Sequence, residues 1–217
     1  MESIKLIIFD LDGTLVDAYT AIENSFNYVM RALGLKAQSK ISIRRAVGWG
    51  DISLLKPYVP KQDLERALSL YRKHHKHSLL KYSRLYPRAR SLLRRLKSRG
   101  YKLAVASNRP TEFSLILLKH LRILNYFDYV LCADKLKHGK PWPEILNKII
   151  KRFVFKKSQV LYVGDMVIDA QAARRARVKA VIVAGGSSDL SEIKKEQPFK
   201  IIAKVSQLTK MADLGFS

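Results

Sequence analysis

Short apolar runs rich in β-branched residues recur along the chain as IKLIIF, YKLAVAS, YVLCAD, VLYVGD and KAVIVAGG, and most stop at a polar residue or a glycine. Runs of this length without strict alternation are the pattern of strands buried on both faces of a parallel sheet. Between the last four lie TEFSLILLKHLRIL, PWPEILNKIIKRF and VIDAQAARRARV, whose apolar residues fall three and four apart, the helical period. Strand then helix, repeated, predicts an α/β fold with a doubly wound parallel sheet. PFKIIAKV predicts one further, peripheral strand followed by a short C-terminal helix. In such sheets ligands bind beyond the carboxyl ends of the strands, so the residues there are the first candidates for chemistry.

One interval breaks the pattern. Strand signals vanish from residue 16 to 84 and helical periods take over, in DAYTAIENSFNYVMRALGL and PKQDLERALSLYRKHHKHSLLKY. Pro57, Pro60 and the Gly48-Trp49-Gly50 stretch divide this interval into several helices. The expectation is a catalytic core of residues 1–15 and 85–217 with a helical cap, residues 16–84, inserted after the first strand. At 217 residues the chain has room for one sizeable core and a small lobe. No window approaches eighteen uncharged apolar residues, and the N-terminal residues lack a basic leader, so a cytoplasmic chain without membrane association is expected. The single cysteine, Cys132, is expected to pack as a small buried hydrophobe.

Charge changes the picture of partners. With 41 Lys and Arg against 18 Asp and Glu, the formal net charge is +23. Such an excess attracts anions, from small phosphate esters to nucleic acid. The basic residues are spread along the chain, which is also what a solvated basic surface looks like.

Against this background the acids at strand ends stand out. IKLIIFDLDGTLVD ends its apolar run in Asp10 and Asp12, two apart and therefore on one face if the strand continues through them. Two such carboxylates are tolerable when a hard divalent cation sits against one and the other can hold a proton, which points to Mg²⁺. Gly13 and Thr14 would supply a tight turn, a hydroxyl and backbone amides for an oxyanion. Ser107, with Asn108 after it, offers a hydroxyl for a phosphoryl oxygen, and Lys140 offers a mobile positive charge on a loop. Asp165 and Asp169 in VGDMVIDA are one helical turn apart and place two more carboxylates above a strand end.

Taken in order, FDLDGTLVD at 9 to 17, SN at 107 to 108, KP at 140 to 141 and GDMVID at 164 to 169 make the chain resemble the haloacid dehalogenase superfamily over nearly its whole length. Within it, the resemblance is to phosphatases with a helical cap, of the phosphoglycolate phosphatase and β-phosphoglucomutase-like kind. It implies a Rossmann-like core and a Mg²⁺-dependent phosphomonoester hydrolase. Asp10 would be the nucleophile that forms an aspartyl-phosphate, and Asp12 the general acid and base. The metal would be held by Asp10, the Asp12 backbone carbonyl and Asp165, with Asp169 supporting it or orienting Lys140. Ser107 and Lys140 would stabilise the transferring phosphoryl group.

A small phosphorylated metabolite, phosphoglycolate first, is the expected substrate of a monomer or homodimer. The alternatives are a sugar phosphomutase of the same family, or a nucleic-acid-binding protein or polynucleotide end phosphatase. Arg44, Arg45 and Trp49 in the cap are candidates for contact with the non-reacting part of the substrate. His74, His75 and His77, in a basic helix, are expected on a solvated face. Met166 stands where relatives often have Ser or Thr, Ala176-Arg177 where they have Ala-Gly, and Ala18 where they have Ser.

Overall fold

The computed structural model describes residues 3–213. Its centre is a six-stranded sheet in the order β5-β4-β1-β6-β7-β8, every neighbouring pair parallel. The strands are β1 (Leu6–Phe9), β4 (Lys102–Ser107), β5 (Tyr129–Cys132), β6 (Val160–Gly164), β7 (Lys179–Val183) and β8 (Lys200–Ile202). Helices α5 (Ala89–Ser98), α6 (Thr111–His120), α7 (Glu144–Phe153), α8 (Val167–Ala176), α9 (Leu190–Lys195) and α10 (Leu208–Asp213) accompany it. This is the doubly wound arrangement the strand and helix periods predict and the Rossmann-like core the resemblance implies.

Alternation within the strands divides the core. Ile7, Phe9, Val105 and Val163 belong to one hydrophobic cluster, and Leu6, Ile8, Ala104 and Tyr162 to the other. Helix α7 closes the second face because Ile145, Leu146, Ile149 and Ile150 form one buried stripe while Lys148 and Lys151 stay outside. The chain runs from β1 to β4 on one side and returns to β6 on the other, so the order reverses around β1. A crevice beyond the carboxyl ends of β1, β4 and β6 follows from that reversal.

Between β2 (Val16–Asp17) and β3 (Arg84–Leu85), which pair antiparallel, lie α1 (Tyr19–Ala32), α2 (Lys40–Ala46), α3 (Asp51–Leu55) and α4 (Leu64–Tyr82). The expected boundaries at 15/16 and 84/85 fall at this two-stranded ribbon. Phe26 and Met30 of α1 and Tyr71 and Leu79 of α4 are buried in the same cluster as Phe9 and Val105. The helical segment is thus continuous with one face of the sheet. Among the described residues no helix is long and apolar enough to cross a membrane.

Two local expectations need correction. Strand β1 ends at Phe9, so Asp10 and Asp12 stand on the loop beyond it and not within a strand. His75 is not on a solvated face: it is 2% exposed, in the buried stripe of α4 between Tyr71 and Leu79, each four residues away. His77 is exposed, and His74 is half-buried against Tyr28.

Candidate active site

Two strand ends converge on a buried acidic cluster. Oxygen atoms of Asp10 after β1, and of Asp165 and Asp169 after β6, all lie within 4.8 Å of one another. Lys140, on the loop before α7, donates from Nζ to Asp10 Oδ1 at 2.8 Å, to Asp169 Oδ1 at 2.8 Å and to Tyr162 Oη at 3.1 Å. It is buried and fully engaged, which corrects the expectation of a mobile charge. Burial alone would favour neutral Lys140, but Asp10 and Asp169 outweigh it and hold the ammonium charged.

The three acids experience the site differently. Burial pushes the Asp10 carboxyl up to about 7, with Lys140 opposing the rise and Asp169 adding to it. Asp169 is bonded on both oxygens: Oδ1 accepts from Lys140 and from Tyr162 Oη at 2.6 Å, and Oδ2 accepts from the amides of Asp165 and Met166 at 3.1 and 3.0 Å. It therefore caps α8 while fixing Lys140. Asp165 has no ion-pair partner among the described residues. Burial, reinforced by repulsion from Asp169 and Asp10, raises its carboxyl well above the usual carboxylate range.

A buried carboxylate beside two others, short of one compensating cation, is the donor set a hard divalent metal requires, so the residues fit such an ion. Two glycines make room around it. A Cβ on Gly13, whose φ is +80°, or on Gly186 would collide with the Asp165 carboxylate. The Thr14 hydroxyl donates to Asp165 Oδ1 at 3.2 Å, and the Ser187 amide to Oδ2 at 3.2 Å. Thr14 thus orients a carboxylate. The Gly13 and Thr14 amides are committed to the carbonyls of Val16 and Leu11, so neither offers the oxyanion cradle expected of it.

Asp10 and Asp12 open onto a cavity of about 50 Å³ between the sheet and the cap helices. Ser107 lines it and accepts the Arg109 amide at 3.1 Å, and among the described residues its own hydroxyl hydrogen has no acceptor. Asn108 also faces the cavity, but its amide nitrogen donates to the carbonyls of Gly48 and Lys140, both at 2.9 Å, and its oxygen accepts from the Lys140 amide at 2.8 Å. Its side chain ties the cap to the Lys140 loop, with both of its polar atoms committed to those partners.

The cap candidates lie elsewhere. Arg44 stacks over Tyr19 and donates to the carbonyls of Gly185 and Gly186, and Arg45 pairs with Asp189 and Glu192. These contacts bind α2 to the loop after β7, so both arginines are directed away from the cavity. Trp49 is 46% exposed and does not line the cavity, whereas its neighbours Gly48 and Gly50 do.

Sequence reasoning missed Arg109, His75 and Tyr162. Arg109 donates to both oxygens of Asp12, Nε to Oδ2 at 2.9 Å and Nη2 to Oδ1 at 2.7 Å, and through Nη1 to His75 Nε2 at 2.9 Å. Its position directly after Ser107 and Asn108, beyond the end of β4, was the available signal. For His75 the signal was four-residue spacing from Tyr71 and Leu79.

The chain matches the model of the haloacid dehalogenase-like hydrolases over residues 7–183. It is 30% identical to the phosphoglycolate phosphatase of Aquifex aeolicus, with 96% of this chain and 97% of that protein covered. Identity to the phosphoglycolate phosphatase of Nitrosospira multiformis is 32%, with 96% and 95% covered. A crystal structure from Haemophilus somnus, described as a predicted phosphoglycolate phosphatase, superposes with a TM-score of 0.92 at 27% identity, covering 98% of this chain and 99% of the other.

Proposed function

Since the chain belongs to the haloacid dehalogenase-like hydrolase family and is a phosphatase, we propose that it is a Mg²⁺-dependent phosphomonoesterase acting through an aspartyl-phosphate on Asp10, with phosphoglycolate as substrate. The observation that carries this reading is the cluster of Asp10, Asp165 and Asp169 around one charged lysine, with Asp10 itself lining a small cavity.

Asp10 attacks phosphorus, and the P–O bond to the leaving group breaks as the bond to the Asp10 oxygen forms. Lys140 lies against that carboxylate and against the charge of the phosphoryl oxygens, while Ser107 donates its free hydrogen to one of them. Asp12 delivers a proton to the departing oxygen and then takes one from the water that hydrolyses the aspartyl-phosphate. Asp169 positions Lys140. Mg²⁺, held by Asp10, Asp165 and the Asp12 carbonyl, would supply neutralisation between an anionic nucleophile and an anionic ester. Residues 16–84 act as a lid that limits bulk water at the site while the one hydrolytic water is admitted, and that accepts only small esters. The relatives named above and the small cavity favour phosphoglycolate over a sugar phosphate.

The test is inorganic phosphate release from small esters, with and without Mg²⁺, by wild type and Asp10→Asn. We expect metal-dependent release that falls at least about a thousandfold in the variant. Turnover by Asp10→Asn within a few fold of wild type would overturn the aspartyl-phosphate reading.

A further inference from the structure

Resting on the reading of this site as a phosphomonoesterase, we infer that Arg109 recognises a carboxylate on the substrate, and that it leaves Asp12 to do so. Arg109 is 8% exposed and is the one Lys or Arg among the described residues lining the cavity. Its guanidinium already holds a carboxylate as a two-pronged fork, that of Asp12. A planar fork that fits one carboxylate fits another.

The anchoring of Arg109 leaves its charge available. Arginine only donates, so His75 Nε2 accepts from Nη1, and the imidazole hydrogen is on Nδ1, directed to Ser25 Oγ at 3.1 Å. Ser25 in turn donates to the Ala21 carbonyl at 2.9 Å. Burial first, and then Arg109, hold His75 well below its ordinary pKa of 6.5, so the anchor is neutral. A neutral acceptor positions the guanidinium without cancelling it, and Ser25 and His75 both come from the cap helices, α1 and α4.

The pair with Asp12 is not a working arrangement for catalysis. Both Asp12 oxygens are taken by the guanidinium, whereas the proposed proton transfers need one of them at the leaving oxygen. An incoming carboxylate exchanges one ion pair for another and frees Asp12 in the same event. An ester without that carboxylate leaves Arg109 on Asp12, so recognition is expressed in turnover as well as in binding. The remaining wall is mostly apolar, with Val47, Leu54 and Phe113, and Asp51 is already paired with Arg72 at 2.8 Å. A cavity of about 50 Å³ holds a few water-sized groups, the scale of a two-carbon acid.

The experiment compares phosphoglycolate with ethyl phosphate, in which a methyl group replaces the carboxylate, in wild type, Arg109→Gln and Arg109→Lys, with folding checked by circular dichroism. In wild type, kcat/KM should favour phosphoglycolate, with part of the difference in kcat. In Arg109→Gln the ratio of the two esters should collapse roughly a hundredfold or more, and Arg109→Lys should restore part of it. An equal fall on both esters would overturn the inference, because a residue that only positions Asp12 has that effect. A wild type with no preference between the esters would overturn it too.

Calorimetric binding of phosphonopropionate against propylphosphonate reads the same preference without turnover. If wild type hydrolyses other esters but not phosphoglycolate, the proposed substrate fails. A wild-type preference for phosphonopropionate that Arg109→Gln removes then still supports carboxylate recognition, and its absence overturns it.

Discussion

Arg177 leaves α8 with φ at +59°, in the left-handed region that a side chain enters at a cost of about 1 kcal/mol. The helix nevertheless closes in the usual way, the Val178 amide reaching the Ala173 carbonyl and the Arg177 amide that of Arg174, both at 3.0 Å. Arg177 is exposed, and among the described residues its side chain has no hydrogen-bond or ion-pair partner that would compensate. Arg177→Gly should therefore stabilise the fold by roughly 0.5 kcal/mol after the larger chain entropy of glycine is subtracted. Thermal unfolding should show a rise of about 1–2 °C; an unchanged or lower midpoint would mean that the arginine is not strained. At this scale the sequence was informative about identity and poor about partners. DxDGT placed the acids, but nothing local distinguishes a lysine on a solvated loop from Lys140, which is locked between Asp10 and Asp169.

Elements are joined by single charged residues as well as by apolar faces. Asp128, just before β5, accepts from Lys97 of α5 at 2.8 Å, from Lys102 at 3.1 Å and from the Leu103 amide at 2.9 Å, both at the start of β4. Partial burial opposes ionisation, but these donors outweigh it and hold the carboxyl below its ordinary value of 3.8. A depressed carboxyl stabilises the fold above the unfolded-state value and ceases to do so as pH falls through the folded-state value. Asp128→Asn should thus lower the unfolding midpoint at neutral pH, and the gap to wild type should close as pH is taken through and below 3.8. A gap independent of pH would assign the loss to packing. The elements themselves were legible because apolar runs and helical periods are local. The end of β1 at Phe9 was not, since it depends on where β4 and β6 cease to pair with it.

For the molecule as a whole, the formal charge of +23 raises the question of a polyanionic partner. Two of those charges, on Arg109 and Lys140, are buried against acids, while Arg44 and Arg45 are exposed but engaged with carbonyls and acids. Sequence-independent neutralisation of phosphates predicts weak retention of an oligonucleotide at low salt that disappears near physiological ionic strength. Its terminal phosphate should be released far more slowly than that of a small ester, because the cap covers the cavity. Filter binding across a salt series, with Arg72→Gln and Lys73→Gln beside wild type, checks this. Binding that survives physiological salt and weakens in those variants would favour a nucleic-acid partner.

The sequence alone determined the doubly wound sheet, its helical insertion and the identity of the four acids, because periodicity and strand-end position are properties of neighbouring residues. Tertiary structure decided what those residues face. It turned Thr14 and Gly186 toward Asp165, committed Asn108 to Gly48 and Lys140, and withdrew Arg44 and Arg45 from the cavity. It also joined Asp12 to Arg109, 97 residues away, and Arg109 to His75, 34 residues away. Contacts at such separations depend on how the helical segment is laid over the sheet, which no local pattern encodes.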